Sequence, residues 1–231
     1  RAARRYAASV YELLVVDVDA EGHAAGSSVQ PLPGYDVEAS ALDPANPDGV
    51  LWLGVEQPSN SVLEYSLVTG NVFRETETSG TSTLEALAWV EEASGEHTLW
   101  YSDGLGLYAM RRDAATYQWA RVAEIGPQLM LDVFCTTCDA LSNVADVAAV
   151  GRTLFVLLDD LPARALLAID VDSGAKLAEH KLPGDHEEWE GVHLERIEGS
   201  STEFRCFLAR DHPPEIWSLR YSLVDGFACA A

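Results

Sequence analysis

The hydrophobic residues of this chain fall in short runs separated by polar turns, and they do not recur at the i, i+3, i+4 spacing of a surface helix. Four such runs are Leu51-Trp52-Leu53-Gly54-Val55, Leu99-Trp100-Tyr101, Leu154-Phe155-Val156-Leu157-Leu158 and Phe204-Arg205-Cys206-Phe207-Leu208. Their length, their β-branched and aromatic content and the Gly, Asn and Asp turns around them predict strands. Three of the runs meet an acid (Glu56, Asp103 and the pair Asp159-Asp160), and the fourth reaches Asp211 slightly later. A second short strand closes each unit: Val62-Leu63-Glu64-Tyr65, Gly106-Leu107-Tyr108-Ala109-Met110, Ala165-Leu166-Leu167-Ala168-Ile169 and Glu215-Ile216-Trp217-Ser218-Leu219. The pattern predicts an all-β protein.

The units repeat. Residues 13–34 read Leu13-Leu14-Val15-Val16-Asp17-Val18-Asp19, then Gly22, then Leu32-Pro33-Gly34. Residues 166–184 read Leu166-Leu167-Ala168-Ile169-Asp170-Val171-Asp172-Ser173-Gly174, then Leu182-Pro183-Gly184. An acid ahead of a small residue follows each copy, as Glu38-Ala39-Ser40 and as Glu190-Gly191-Val192. Glu85-Ala86-Leu87 and Asp146-Val147-Ala148 stand in the same place in two further units. Modules of ~40–50 residues built from short strands are the mark of a β-propeller blade. A helical solenoid lacks this periodicity, and an immunoglobulin-type sandwich does not repeat itself in sequence. Repeat counting predicts about five four-stranded blades, or six. The last unit shows three strands, so an N-terminal strand is expected to complete it and close the ring. The reading assigns residues 1–10 to a basic arm and 11–231 to a single propeller domain. A Cys-containing insertion at about 126–142 accounts for the long interval between Glu85 and Asp146.

Composition narrows the class. At 231 residues and 48% hydrophobic the chain folds and buries a sizeable core. Its 37 acids against 15 Lys and Arg leave a net charge of −22, which excludes a nucleic-acid binder that works by neutralising phosphates. The same charge favours solubility and encounters with basic partners or cations. No apolar stretch approaches ~18 residues, so no spanning helix is expected. The opening Arg1-Ala2-Ala3-Arg4-Arg5-Tyr6-Ala7-Ala8-Ser9 is basic and without acids. It reads as the tail of a removed targeting peptide or as an exposed arm. Four cysteines, Cys135, Cys138, Cys206 and Cys229, allow two disulfides in an oxidising compartment, or free thiols. A secreted or organelle-lumen location follows as an expectation.

In a propeller, equivalent positions on inner strands surround one axis, so Glu38, Glu85, Asp146 and Glu190 are expected to converge on the central channel. Clustered carboxylates repel unless a cation neutralises them. Ca²⁺, which takes 6–8 oxygen ligands in flexible geometry, suits such a site, with Asn143 and Asp103 as further ligands. The alternative is that these acids hydrogen-bond backbone amides of neighbouring blades. Base candidates for a hydrolytic reaction are His186, His193 and His212, near the Glu190 and Asp211 segments. The sequence contains no Gly-x-Ser-x-Gly elbow, Walker loop or His-Glu-x-x-His motif.

Two segments carry a family resemblance: Leu182-Pro183-Gly184 with Glu188-Trp189-Glu190-Gly191-Val192, and Ala209-Arg210-Asp211-His212-Pro213-Pro214-Glu215-Ile216-Trp217. Through them the chain resembles the calcium-type propellers of the SdiA-regulated and phytase-like group, and more distantly the gluconolactonase and paraoxonase group. In those families a Glu-Gly-apolar step opens the inner strand of a blade. Glu38 and Glu85 depart from it, being followed by Ala, and one unit carries Asp146 instead. The resemblance implies either a binding or scaffold propeller with a structural calcium and a protein partner, or a calcium-dependent hydrolase of phosphoesters or lactones. In the second case His186 or His212 assists, and the site also admits a small-molecule ligand.

Overall fold

A hairpin turn recurs along the chain and sets its architecture. Ser66-Leu67-Val68-Thr69-Gly70, Asp170-Val171-Asp172-Ser173-Gly174 and Ser222-Leu223-Val224-Asp225-Gly226 each begin with a Ser or Asp whose side-chain oxygen accepts from the turn backbone. Each ends on a glycine at positive φ (71°, 67° and 78°), where an L side chain is strained. Short side-chain acceptors paired with glycine fold the chain back at a fixed spacing, and antiparallel sheets result.

The computed structural model describes residues 3–9, 12–18, 24–32, 34–57, 60–78, 84–92, 94–103, 106–113, 119–125, 144–158, 164–184, 189–210 and 215–229. All regular elements among them are strands, and the sheets have the meander topology of β-propeller blades. No helix among the described residues is long and apolar enough to cross a membrane.

The chain packs as two compact units, 1–87 and 88–231. In the first, β1 (Ala3–Ser9), β2 (Glu12–Val18) and β3 (Ala24–Pro31) form a three-stranded sheet. Beside it β4 (Asp36–Leu42), β5 (Val50–Gln57), β6 (Ser61–Ser66) and β7 (Asn71–Glu77) form a four-stranded one. Leu13, Val15, Leu32, Val37, Leu51, Leu53, Val55, Leu63 and Tyr65 make their common core. Burying each such side chain contributes about 1.5–3 kcal/mol. The Tyr65 hydroxyl donates to Gln30 Oε1 at 2.5 Å, so even the largest ring of this core is satisfied at its polar tip.

The second unit holds three four-stranded sheets. They are β8 (Ala86–Glu91) to β11 through β9 (His97–Ser102), β10 (Leu107–Arg112) and β11 (Trp119–Ile125); then β12 (Val144–Val150), β13 (Thr153–Leu158), β14 (Ala165–Asp170) and β15 (Lys176–Lys181); then β16 (Trp189–Arg196), β17 (Glu203–Arg210), β18 (Glu215–Ser222) and β19 (Gly226–Cys229). Its main core joins the last two sheets through Phe155, Leu157, Leu166, Trp189, Leu194, Phe204, Cys206, Leu208 and Tyr221.

Among the described residues there are four four-stranded blades plus the three-stranded sheet, and not the five or six expected. The expected closure by an N-terminal strand is also corrected. The last sheet draws all four strands from its own segment, because the turn at 222–226 returns the chain as β19 against β18. Ala3–Ser9, within the segment read as a basic arm, is instead strand β1, paired with β2 from Ala3↔Val18 to Ser9↔Glu12. The insertion at about 126–142 lies outside the described residues.

Candidate functional site

The start of β4 is irregular. Its register against β5 runs Asp36↔Gln57, Val37↔Val55 and Ala39↔Gly54, which leaves Glu38 unpaired in a bulge. Val37 and Ala39 point into the core while Glu38 is exposed. Gly54 is required opposite this bulge: a Cβ there would lie 2.2 Å from Leu84 Cδ2 and 3.1 Å from Ala39 Cβ. Antiparallel pairing brings Glu56, at the end of β5, to the same place as Asp36. One oxygen each from Asp36, Glu38 and Glu56 lie within 4.8 Å of one another, the spacing of a metal ligand set.

The electrostatics follow from that crowding. Partial burial, then the charges of Asp36, Glu85 and Glu56, push the Glu38 carboxyl up to about 7, and in its protonated form it hydrogen-bonds Asp36. Asp36 Oδ1 is buried and, while Glu38 is ionised, has no hydrogen-bond donor. A buried acceptor left unpaired beside two further carboxylates fits a cation, which would satisfy the orphan oxygen and relieve the repulsion. These residues are thus a fitting ligand set for Ca²⁺. Their carboxylates supply some of its oxygens, and water or a ligand supplies the rest.

The sequence-derived candidates distribute as follows. Glu38 and Glu85 meet in the first unit, together with Asp36 and Glu56, which sequence reasoning did not select. In the second unit Asp146 lies beside Glu190, whose charge helps raise the Asp146 carboxyl to about 7, after desolvation as the main cause. The two are not equivalent in register. The strand register skips Glu190, passing from Trp189↔Arg210 to Gly191↔Ala209, as it skips Glu38 in β4. In β12 the unpaired residue is Ala145, between Val144↔Leu158 and Asp146↔Leu157. Asp146 therefore stands one residue later, where Gly191 and Ala39 stand. It bonds backbone instead: Val192 N donates to Oδ2 at 2.7 Å and Val147 N to Oδ1 at 2.8 Å. This is the packing role that sequence analysis set against metal binding.

Asp103 serves its own turn, accepting from Gly106 N at 2.9 Å, and it also hydrogen-bonds Tyr108, whose hydroxyl burial first and Asp103 second push up to about 12. His193 is an exposed residue of β16, with Nε2 3.6 Å from Glu195 Oε1. His186, His212, Asn143, Cys135 and Cys138 lie outside the described residues. Cys206 is a free, buried thiol, pushed up to about 12 by desolvation. A bridge to Cys229 is excluded by register. Both residues stand opposite Leu219, on either side of it, so two strand spacings, about 9.5 Å, separate their backbones. A disulfide tolerates about 4.4–6.8 Å between Cα atoms.

The signal that would have found Asp36 and Glu56 was present. Glu56 ends an apolar run, and the adjacent antiparallel strand begins at Asp36. Pairing the end of one strand with the start of its neighbour puts the two acids side by side.

No protein-family profile matches this chain, and no curated protein matches it. Solved structures do. A luciferin-regenerating enzyme matches with TM-score 0.56 at 13% identity, over 87% of this chain and 64% of that one. A protein from Lactobacillus plantarum matches with TM-score 0.51 at 12% identity, over 94% of this chain and 67% of that one. BBS1N, solved in complex with ARL6DN, matches with TM-score 0.52 at 12% identity, over 95% of this chain and 62% of that one. The chain thus spans about two thirds of the length of these structures. At such identities they establish the propeller fold and nothing finer, and the resemblance to the SdiA-regulated and phytase-like group gains no support from sequence.

Proposed function

We propose that the protein is a calcium-holding β-propeller that binds a protein partner, with Asp36, Glu38 and Glu56 as the metal ligands. The observation that carries this reading is the convergence of three carboxylates around the unpaired, buried Asp36 Oδ1. Calcium there fixes the bulge of β4 and ties the first strand of the blade to the second. Glu85 adds negative potential without being one of the three. The partner role draws support from the structure of BBS1N with ARL6DN and from the exposed apolar hairpin tips Val68 (80% exposed) and Val224 (73% exposed).

A second reading has its own observation. Three carboxylates do not fill the 6–8 positions of Ca²⁺, so water and a substrate oxygen have room on the metal. The likeness to a luciferin-regenerating enzyme accords with a catalytic role, and in this reading the protein is a hydrolase of phosphoesters or lactones with His186 or His212 as the proton carrier.

Thermal melting with EDTA and with added Ca²⁺ tests the metal. A calcium-dependent rise in Tm that is lost in the triple variant D36N/E38Q/E56Q is expected, and equal Tm values in all conditions would refute the site. Assays on a phosphomonoester and a lactone panel then divide the readings. Calcium-dependent turnover selects the hydrolase, and its absence in calcium-loaded protein selects the binding module.

A further inference from the structure

We propose that Arg210 is the anchor of a second binding site, one for a small organic carboxylate with an apolar body. The Arg210 side chain is 7% exposed and lies on the face of β17 that carries Phe204, Cys206 and Leu208 into the core. Register places Trp189 of β16 on one side of it and Glu215 of β18 on the other. Its Nη2 donates to Glu215 Oε2 at 2.7 Å. The indole Nε1 of Trp217 donates to that same oxygen at 2.8 Å. Arg210 Nε is buried and has no hydrogen-bond partner.

The guanidinium edge formed by Nε–H and Nη2–H is spaced for the two oxygens of one carboxylate. Glu215 uses half of that edge and leaves the other donor unsatisfied, an arrangement that buried polar groups avoid. A ligand carboxylate entering in place of Glu215 fills both donors and keeps the Trp217 indole bond. Glu215 is 42% exposed, so its carboxylate has water to turn to, and the incoming carboxylate keeps the buried guanidinium paired.

The surroundings define the rest of the ligand. Trp189 and Trp217 meet edge to face with centroids 5.4 Å apart, and the Arg210 guanidinium carbon lies 5.9 Å from the Trp217 ring centre. Trp189 is fully buried behind Trp217, and the partly exposed Trp217 indole beside the cation favours an aromatic or aliphatic body. A single guanidinium in a chain of net charge −22 compensates one negative charge, which selects a monocarboxylate over a polyphosphate.

The test is calorimetry and thermal melting in EDTA, so that it stands apart from the calcium site, with phenylacetate, benzyl alcohol and inorganic phosphate as probes. Phenylacetate is expected to bind and to raise Tm, and to bind about tenfold tighter to E215Q, which removes the competing carboxylate. R210K keeps the charge without the fork and is expected to weaken binding at least about tenfold. W217F removes the indole donor and is expected to weaken it as well. Benzyl alcohol and phosphate are expected to leave Tm unchanged. The proposal fails if E215Q gives no response to phenylacetate, if R210K responds as the parent does, or if phosphate matches phenylacetate.

Discussion

The carboxylate of Asp146 accepts a 2.7 Å hydrogen bond from the backbone N–H of Val192, joining the first strand of one blade to the first strand of the next. Sequence repetition placed Asp146 beside the metal candidates. The register places it one residue further on, in a position from which it holds backbone.

The burial of Asp146 predicts a pH effect, since desolvation outweighs the two backbone hydrogen bonds that favour its ionised form. The folded chain raises the Asp146 carboxyl to about 7 from an ordinary value near 3.8, so between those limits the native state holds a proton that the unfolded chain has lost. This contribution is present at acid pH and is lost as pH rises through about 7. Urea unfolding across that window is expected to show D146N with a flatter stability slope than the parent. D146A, which removes the acceptor, is expected to be destabilised by about 1–3 kcal/mol.

Glu38 titrates in the same direction but has a different readout. Without metal, its raised carboxyl disfavours the folded state as pH climbs from about 4.5 toward 7. Calcium binds the ionised form, so its affinity is expected to increase through that range and level off above it. Apparent affinity measured against pH checks this, and a flat profile would contradict it.

Arg152 ties two blades at the surface. It pairs with both oxygens of Asp172, donates to Glu92 Oε2 at 2.9 Å and also reaches the Glu91 carbonyl at 2.9 Å. Its side chain is 26% exposed, so R152A is expected to lose about 1 kcal/mol, and less at high salt. Chemical denaturation at two ionic strengths measures both parts.

The turn glycine Gly226 makes a sharper prediction. Its φ is 78°, and a Cβ there would sit 2.9 Å from Cδ2 of His180, whose Nδ1 lies 3.1 Å from the Tyr221 hydroxyl. G226A is expected to cost at least about 1–2 kcal/mol and to loosen β19. Amide exchange at residues 226–229 reports the loosening directly.

Middle strands were legible because both of their faces are apolar: the runs at 51–55, 154–158 and 165–169 became β5, β13 and β14. Outer strands were not. In β7, exposed and half-buried residues alternate along Asn71-Val72-Phe73-Arg74-Glu75-Thr76-Glu77, and its two apolar residues, Val72 and Phe73, are too few to mark it as a strand. The same blindness hid β19 and invited an N-terminal strand into its place. Among the acids, Glu38 and Glu85 were singled out by the repeat. Asp36 and Glu56 carry no repeat signal and come together only when the end of β5 is paired with the start of β4. The bulge that sets Glu38 beside them has a register no spacing along the chain reveals. Cys206 looked like half of a disulfide until the intervening Leu219 placed a strand between it and Cys229.

The most direct test is a calorimetric calcium titration of the metal-stripped protein beside D36N/E38Q/E56Q at a pH above about 7, where Glu38 is ionised. The account predicts saturable binding by the parent that the triple variant lacks while remaining folded. Equal calcium binding by both proteins, or none by the parent, would contradict it.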